Sequence, residues 1–140
     1  MPHYCMSDIH GEYEKYRKML NKLPFSDSDT LYIIGDVLDR GPDGIKILQD
    51  MMRRPNIVPL VGNHEYAALS CLRLLDKVVP GERALGTWDM IKQSILSWKI
   101  NGGTPTIAAY WQLSQKEQRE VIDYLGEFIS YNDVHNWKRS

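Results

Sequence analysis

An α/β fold with a parallel sheet flanked by helices is predicted by three observations in this 140-residue sequence. A short apolar or β-branched run leads into a polar, glycine-bearing loop and then a helical pattern, and this unit occurs three times. The runs are continuous rather than alternating, as in strands covered on both faces. The loops recur at intervals of 28 residues, from Asp8 to Asp36, and 27 residues, from Asp36 to Asn63. That interval is about one strand–helix–strand unit, so the loops are expected at one edge of one sheet.

Residues 3–6 form the first expected strand. Tyr13, Tyr16, Leu20 and Leu23 fall at helical spacings, predicting a helix over about 12–23 that stops before Pro24. Ser26-Asp27-Ser28-Asp29 is a polar turn. Thr30–Ile34 is the strongest strand signal. A second helix takes Pro42 and Asp43 in its first turn, shows Ile45, Leu48 and Met52 on its apolar face, and ends at Arg54-Pro55. Ile57–Val61 is a third strand, and its internal Pro59 favours an edge position or a bulge. Leu69, Leu72 and Leu75–Val79 mark an apolar helix after the third loop. Trp88, Ile91, Ile95 and Trp98 predict a further helix near 88–99, broken by Gly102-Gly103. Thr104-Pro105 reads as an N-cap and first helical residue, and Ser114–Glu117 as a capping box ahead of Val121, Ile122, Leu125 and Phe128. Ile129-Ser130-Tyr131 is expected to begin another strand, and Asn136–Ser140 is a polar tail.

Length and the absence of repeats or linkers argue for a single domain over 1–140. Composition is that of an ordinary globular chain, 43% hydrophobic and 25% charged, with a net charge of −1. Such a balance gives no general basic field for nucleic acid and no polybasic membrane surface. No apolar run approaches the ~20 residues that cross a bilayer, and the N-terminus lacks a secretory pattern. Cys5 and Cys71 belong to no CxxC and read as buried free thiols, which fits a reducing cytoplasm.

The chemistry lies in the three loops: Ser7-Asp8-Ile9-His10-Gly11, Gly35-Asp36-Val37-Leu38-Asp39-Arg40-Gly41 and Gly62-Asn63-His64-Glu65. Asp8 and His10 alternate by two, so on extended backbone both project to one side and can share a divalent ion. Asp36 has two oxygens and can bridge two cations. Asn63 offers a hard neutral oxygen, and His64 serves as a ligand or as a general acid. Arg40 suits bidentate recognition of a tetrahedral oxyanion. Each residue alone has a turn or cap explanation: Asp39 as a helix cap, Arg40 as a solvated cation, Glu65 as a first-turn acid favoured by the helix dipole. Their joint order and placement at one sheet edge instead indicate metal-assisted phosphate ester hydrolysis.

On these blocks the chain resembles the calcineurin-like metallophosphoesterases, and within them the phosphoprotein phosphatases of small bacterial type. The signature Asp-x-His-Gly, Gly-Asp-x-x-Asp-Arg-Gly and Gly-Asn-His-Glu are all present. The likeness continues more weakly through Trp98 and Gly102-Gly103-Thr104 to Phe128. It implies a metallophosphoesterase fold of the α+β sandwich type, of which this chain is expected to be the N-terminal half. It implies that Asp8 and His10 hold a first metal, Asp36 bridges both, and Asn63 holds the second. Arg40 would grip phosphate oxygens, and His64, oriented by Asp39, would protonate the leaving group. A hydroxide held between two ions (manganese, with iron or zinc as alternatives) would attack phosphorus in line. The family's second half supplies two further metal-binding histidines, another arginine and a second sheet, none of which is found in this sequence. His3 sits roughly 16 Å from Asp8, at ~3.3 Å per strand residue. His135 has no small residues around it to make the family's tight histidine loop. Neither is a good replacement. The expected activity is a serine/threonine protein phosphatase acting on a phosphorylated protein or small phosphate ester. A symmetrical dinucleoside tetraphosphatase and a non-catalytic fragment with half a metal site are the alternatives.

Overall fold

The computed structural model describes residues 3–23, 26–76 and 85–130. Three parallel strands, β1 (His3–Met6), β2 (Thr30–Ile34) and β3 (Ile57–Leu60), lie side by side in chain order. His3 pairs with Thr30 and Leu31 with Ile57, so the C-terminal ends of all three strands come level. The loops that follow them therefore meet at one edge.

Helix α1 (Tyr13–Lys22) joins β1 to β2, and α2 (Gly44–Met52) joins β2 to β3. Because the strands advance in one direction, right-handed crossovers send both helices to the same face. There Tyr16 and Leu20 of α1 and Ile45, Ile47, Leu48 and Met51 of α2 pack with Leu31 and Ile33 in one core. The Tyr16 hydroxyl donates to Asp50 at 2.7 Å, tying α1 to α2. On the opposite face Cys5 is exposed and Ile34 is 49% exposed.

The third strand–helix unit continues with α3 (Asn63–Asp76), which begins within the third motif itself. Helix α4 (Leu85–Trp98) runs into a π-helical turn (Lys99–Gly103), then α5 (Thr104–Trp111) and α6 (Gln115–Gly126). Helix α6 contacts both α2 and α3 and buries Val121, Ile122 and Leu125. Ile129 then pairs in parallel with Leu60, its N–H donating to the Pro59 carbonyl and its carbonyl accepting from Val61, each at 3.0 Å. Pro59 thus stands on the outer strand of the three-stranded sheet, where its missing N–H costs least.

Several local expectations change. Cys5 is exposed rather than buried, because in the strand it points opposite to the buried Met6. Cys71 is buried, and burial together with the nearby Asp39 charge pushes its thiol up, so it is an inert core residue. Thr104 is the first residue of α5 and not its cap. Its φ of −53° and ψ of −48° are helical, whereas a capping side chain needs extended backbone. Ser114 does have that extended backbone, and the full capping box with Glu117 forms. Gly102 kinks the chain at φ +104° without ending helical structure. The expected extension of the third helix to Val79, the side chain of Trp88, Tyr131, His135 and the polar tail lie outside the described residues.

Candidate active site

The first two motifs are built on unusual backbone. Asp8, His10, Asp36, Asp39 and Arg40 all adopt positive φ, between 42° and 75°. For non-glycine residues this costs of order 1 kcal/mol or more each and persists only where the surroundings over-determine it. Here they do. His10 N–H donates to the Asp36 carbonyl at 2.9 Å, Gly11 N–H to Val37 at 2.7 Å, Gly41 N–H to His10 at 2.9 Å and Asp43 N–H to Gly11 at 2.9 Å. The two loops approach so closely that a Cβ on Gly41 would run into the His10 carbonyl.

The third motif locks the second through Glu65, which is 1% exposed. Its Oε1 accepts from Asp36 N–H at 2.6 Å and Gly62 N–H at 3.2 Å, and its Oε2 from Val37 and Leu38 N–H at 3.1 and 3.2 Å. Burial raises the carboxyl above its usual range, and the backbone donors pull it back only in part. Four converging donors, and not the helix dipole alone, explain a glutamate at this position.

The ligating atoms of His10, Asp36 and His64 lie within 4.8 Å of one another. Proton accounting says which ring nitrogens are free to ligate. His10 Nδ1 sits 3.1 Å from the Leu38 carbonyl, which can only accept, so Nδ1 carries the hydrogen and Nε2 keeps its lone pair. His64 Nδ1 lies 2.8 Å from Asp39 Oδ2 and is likewise the donor. Each ring thus keeps Nε2 without a hydrogen, and an Nδ1–H held by an oxygen is the outer hydrogen bonding that suits a cation-binding imidazole. Asp8 stands on the exposed side with its Oδ1 4.0 Å from His10 Nε2. Asn63, the first residue of α3, lines a cavity of about 290 Å³ together with Arg40, His64, Ala67, Trp98 and Asn101. Arg40, Asn63 and His64 thus line one surface cleft, His64 also neighbours His10 and Asp36, and Asp39 lies buried against the His64 ring.

Three features have no counterpart in the sequence reading. Asp39 is 0% exposed and also accepts from Trp98 Nε1 at 2.9 Å and from the Thr106 hydroxyl at 2.7 Å. The Arg40 N–H donates to the Gly102 carbonyl at 2.8 Å. Glu65 braces the second motif as described. In the sequence Trp98 is indistinguishable from an apolar core position and Thr106 carries no signal, because their partner is a carboxylate about sixty residues away.

The model for the calcineurin-like phosphoesterase family matches residues 1–139. The chain belongs to this family. It is 34% identical over 109 residues to a symmetrical bis(5'-nucleosyl)-tetraphosphatase of Wigglesworthia glossinidia brevipalpis, covering 69% of this chain and 40% of that protein. It is 30% identical over 126 residues to serine/threonine-protein phosphatase 2 of Escherichia coli strain K12, covering 89% of this chain and 47% of that protein. A solved structure assigned to a diadenosine tetraphosphatase superposes with a TM-score of 0.52 at 21% identity, over 89% of this chain and 41% of that one, and shares its fold. This calcineurin-like chain therefore spans less than half the length of the relatives it matches. Among its described residues no helix is long and apolar enough to cross a membrane.

Proposed function

We propose that this chain carries the first metal-binding half of a hydrolase that cleaves the bridge of a dinucleoside tetraphosphate symmetrically. The observation that carries the hydrolase reading is the meeting of His10, Asp36 and His64 within 4.8 Å, with both Nδ1 atoms occupied by other partners. The dinucleotide substrate is favoured over a phosphoprotein by the higher identity to the tetraphosphatase relative, 34% against 30%. A serine/threonine phosphatase, the first expectation from sequence, is supported by the Escherichia coli relative at lower identity and becomes the second reading.

In this proposal Asp8, His10, Asp36 and Asn63 hold two divalent cations, manganese being the first choice. Such ions polarise phosphoryl oxygens and acidify water. The remaining work falls to the chain's own side chains. Arg40 clamps non-bridging phosphate oxygens through its guanidinium. His64, its Nδ1–H held by Asp39, keeps Nε2 available to hold a proton for the departing oxygen. Leu38, through its carbonyl, fixes the His10 tautomer.

Symmetrical hydrolysis of a four-phosphate bridge consumes one water and yields two nucleoside diphosphates. The test is incubation of the protein, in its longest natural form and loaded with manganese, with a dinucleoside tetraphosphate or a phosphoserine peptide. Nucleoside diphosphate as the sole nucleotide product is the expected result. Preferential release of inorganic phosphate from the peptide would transfer the function to the second reading, and inertness toward both would remove the enzyme reading.

A further inference from the structure

We propose that Trp98 and Thr106 are positioning residues of the active site, which hold the Asp39 carboxylate in the one orientation that presents His64 with its Nε2 toward the cleft. The inference rests on the hydrolase reading for its catalytic meaning, but its structural content stands apart from it. Asp39 has no access to water, so every lone pair it uses must be met by protein. Oδ1 accepts the Thr106 hydroxyl at 2.7 Å, while Oδ2 accepts Trp98 Nε1–H at 2.9 Å and His64 Nδ1–H at 2.8 Å. The Thr106 oxygen in turn accepts the N–H of Asp39 itself at 3.1 Å. Side chain and backbone of Asp39 are therefore gripped by one hydroxyl, at a residue whose φ is +75°.

The donors come from a part of the chain separate from the three motifs. Trp98 ends α4 and Thr106 lies in the first turn of α5, with the π-helical turn between them. Both are nearly sealed, at 2% and 1% exposure. Gly103 packs so tightly against the indole that a Cβ there would overlap it, and the Gly102 carbonyl takes the N–H of Arg40. A corner that only filled space would need none of these polar contacts. This one supplies a donor to each carboxylate oxygen and an acceptor to each of two successive backbone N–H groups. Removing either donor frees the carboxylate to turn, and His64 then reverts toward the Nε2–H tautomer that an unconstrained neutral imidazole prefers.

The direct test is the ring ¹⁵N spectrum of His64 in the metal-free chain at alkaline pH, with the amide fingerprint as the check on folding. The wild type is expected to show the Nδ1–H tautomer. Trp98→Phe and Thr106→Val should each move the ring toward Nε2–H, and Thr106→Ser, which keeps the hydroxyl, should restore the wild-type signature. If Thr106→Val does not fold, Trp98→Phe decides alone. An unchanged Nδ1–H signature in the folded variants would overturn the inference. Where hydrolysis of an alkyl phosphate ester is measurable, the same variants should lose about ten- to a hundredfold in kcat with KM little changed. A tautomer shift in a chain without turnover would sustain this inference while counting against the hydrolase reading.

Discussion

At the scale of single residues, the site is decided by which nitrogen of each histidine is already engaged. His10 and His64 both spend Nδ1 on an oxygen, of Leu38 and Asp39 respectively, and both leave Nε2 without a hydrogen. Their rings stand edge-on with centroids 5.0 Å apart, so one species bound between them would meet both. Under the proposed roles the two differ, His10 holding metal and His64 handling a proton. His64→Asn in the metal-loaded enzyme is expected to lower turnover of an alkyl phosphate ester by roughly two to four powers of ten, the usual worth of a positioned acid. A nucleoside diphosphate is a weaker base than an alkoxide and needs less proton assistance, so the loss on a dinucleoside tetraphosphate should fall at the lower end. Metal content measured by elemental analysis should stay as in the wild type. A parallel loss of metal and activity would make His64 a ligand instead.

Among the elements, the sheet edge is held together by bonds between loops more than by bonds within them. The first motif is tied to the second by backbone hydrogen bonds, the second to the third by Glu65, and the second to the α4–α5 corner through Asp39 and Arg40. Glu65 is the most exacting of these ties. Each of its oxygens accepts two backbone N–H groups, so neither can be replaced by an amide nitrogen without setting donor against donor. Glu65→Gln, although isosteric, is therefore expected to cost about 3 kcal/mol in chemical denaturation, the scale of a lost charged hydrogen bond with unsatisfied buried donors. It should also weaken metal binding by releasing Asp36 from its positive φ. A denaturation midpoint equal to that of the wild type would show that Glu65 merely fills the start of α3.

Across the whole molecule, packing of the helical layer depends on an ionised group. Asp50 of α2 accepts from Tyr16 of α1 at 2.7 Å and from Arg54 Nε at 2.9 Å, with Arg17 3.9 Å away. Burial pushes the Asp50 carboxyl up, but the hydrogen bonds from Tyr16 and Arg54 and the positive charges outweigh it and hold the group below the usual carboxylate range. The folded state thus binds this proton less readily than the unfolded chain. Its contribution is full above the ordinary aspartate value of ~3.9 and fades as pH falls through the lower folded value. Thermal unfolding should accordingly show Asp50→Asn less stable than wild type near neutrality, with the gap closing below about pH 4. A gap that does not change with pH would mean that shape rather than charge matters at this position.

The sequence by itself determined what short-range rules govern. Strand-to-helix periodicity placed β1, β2 and β3 and their crossovers, the Ser114–Glu117 pattern placed the start of α6, and the three motifs put the candidate site residues after each strand. Consecutive order and equal spacing already implied one shared edge, because parallel strands return by a crossover of nearly fixed length. Only the tertiary structure decided what joins that edge together. The bracing of Asp36 by Glu65, the grip of Trp98 and Thr106 on Asp39, the tautomers of His10 and His64, and the exposure of Cys5 all depend on groups brought together across the fold. Periodicity reports which face a residue occupies and is silent on what waits there. A buried indole reads as core whether or not its N–H meets a carboxylate. In this chain that single contact, between residues 59 apart in sequence, links the α4–α5 corner to the histidine at the cleft.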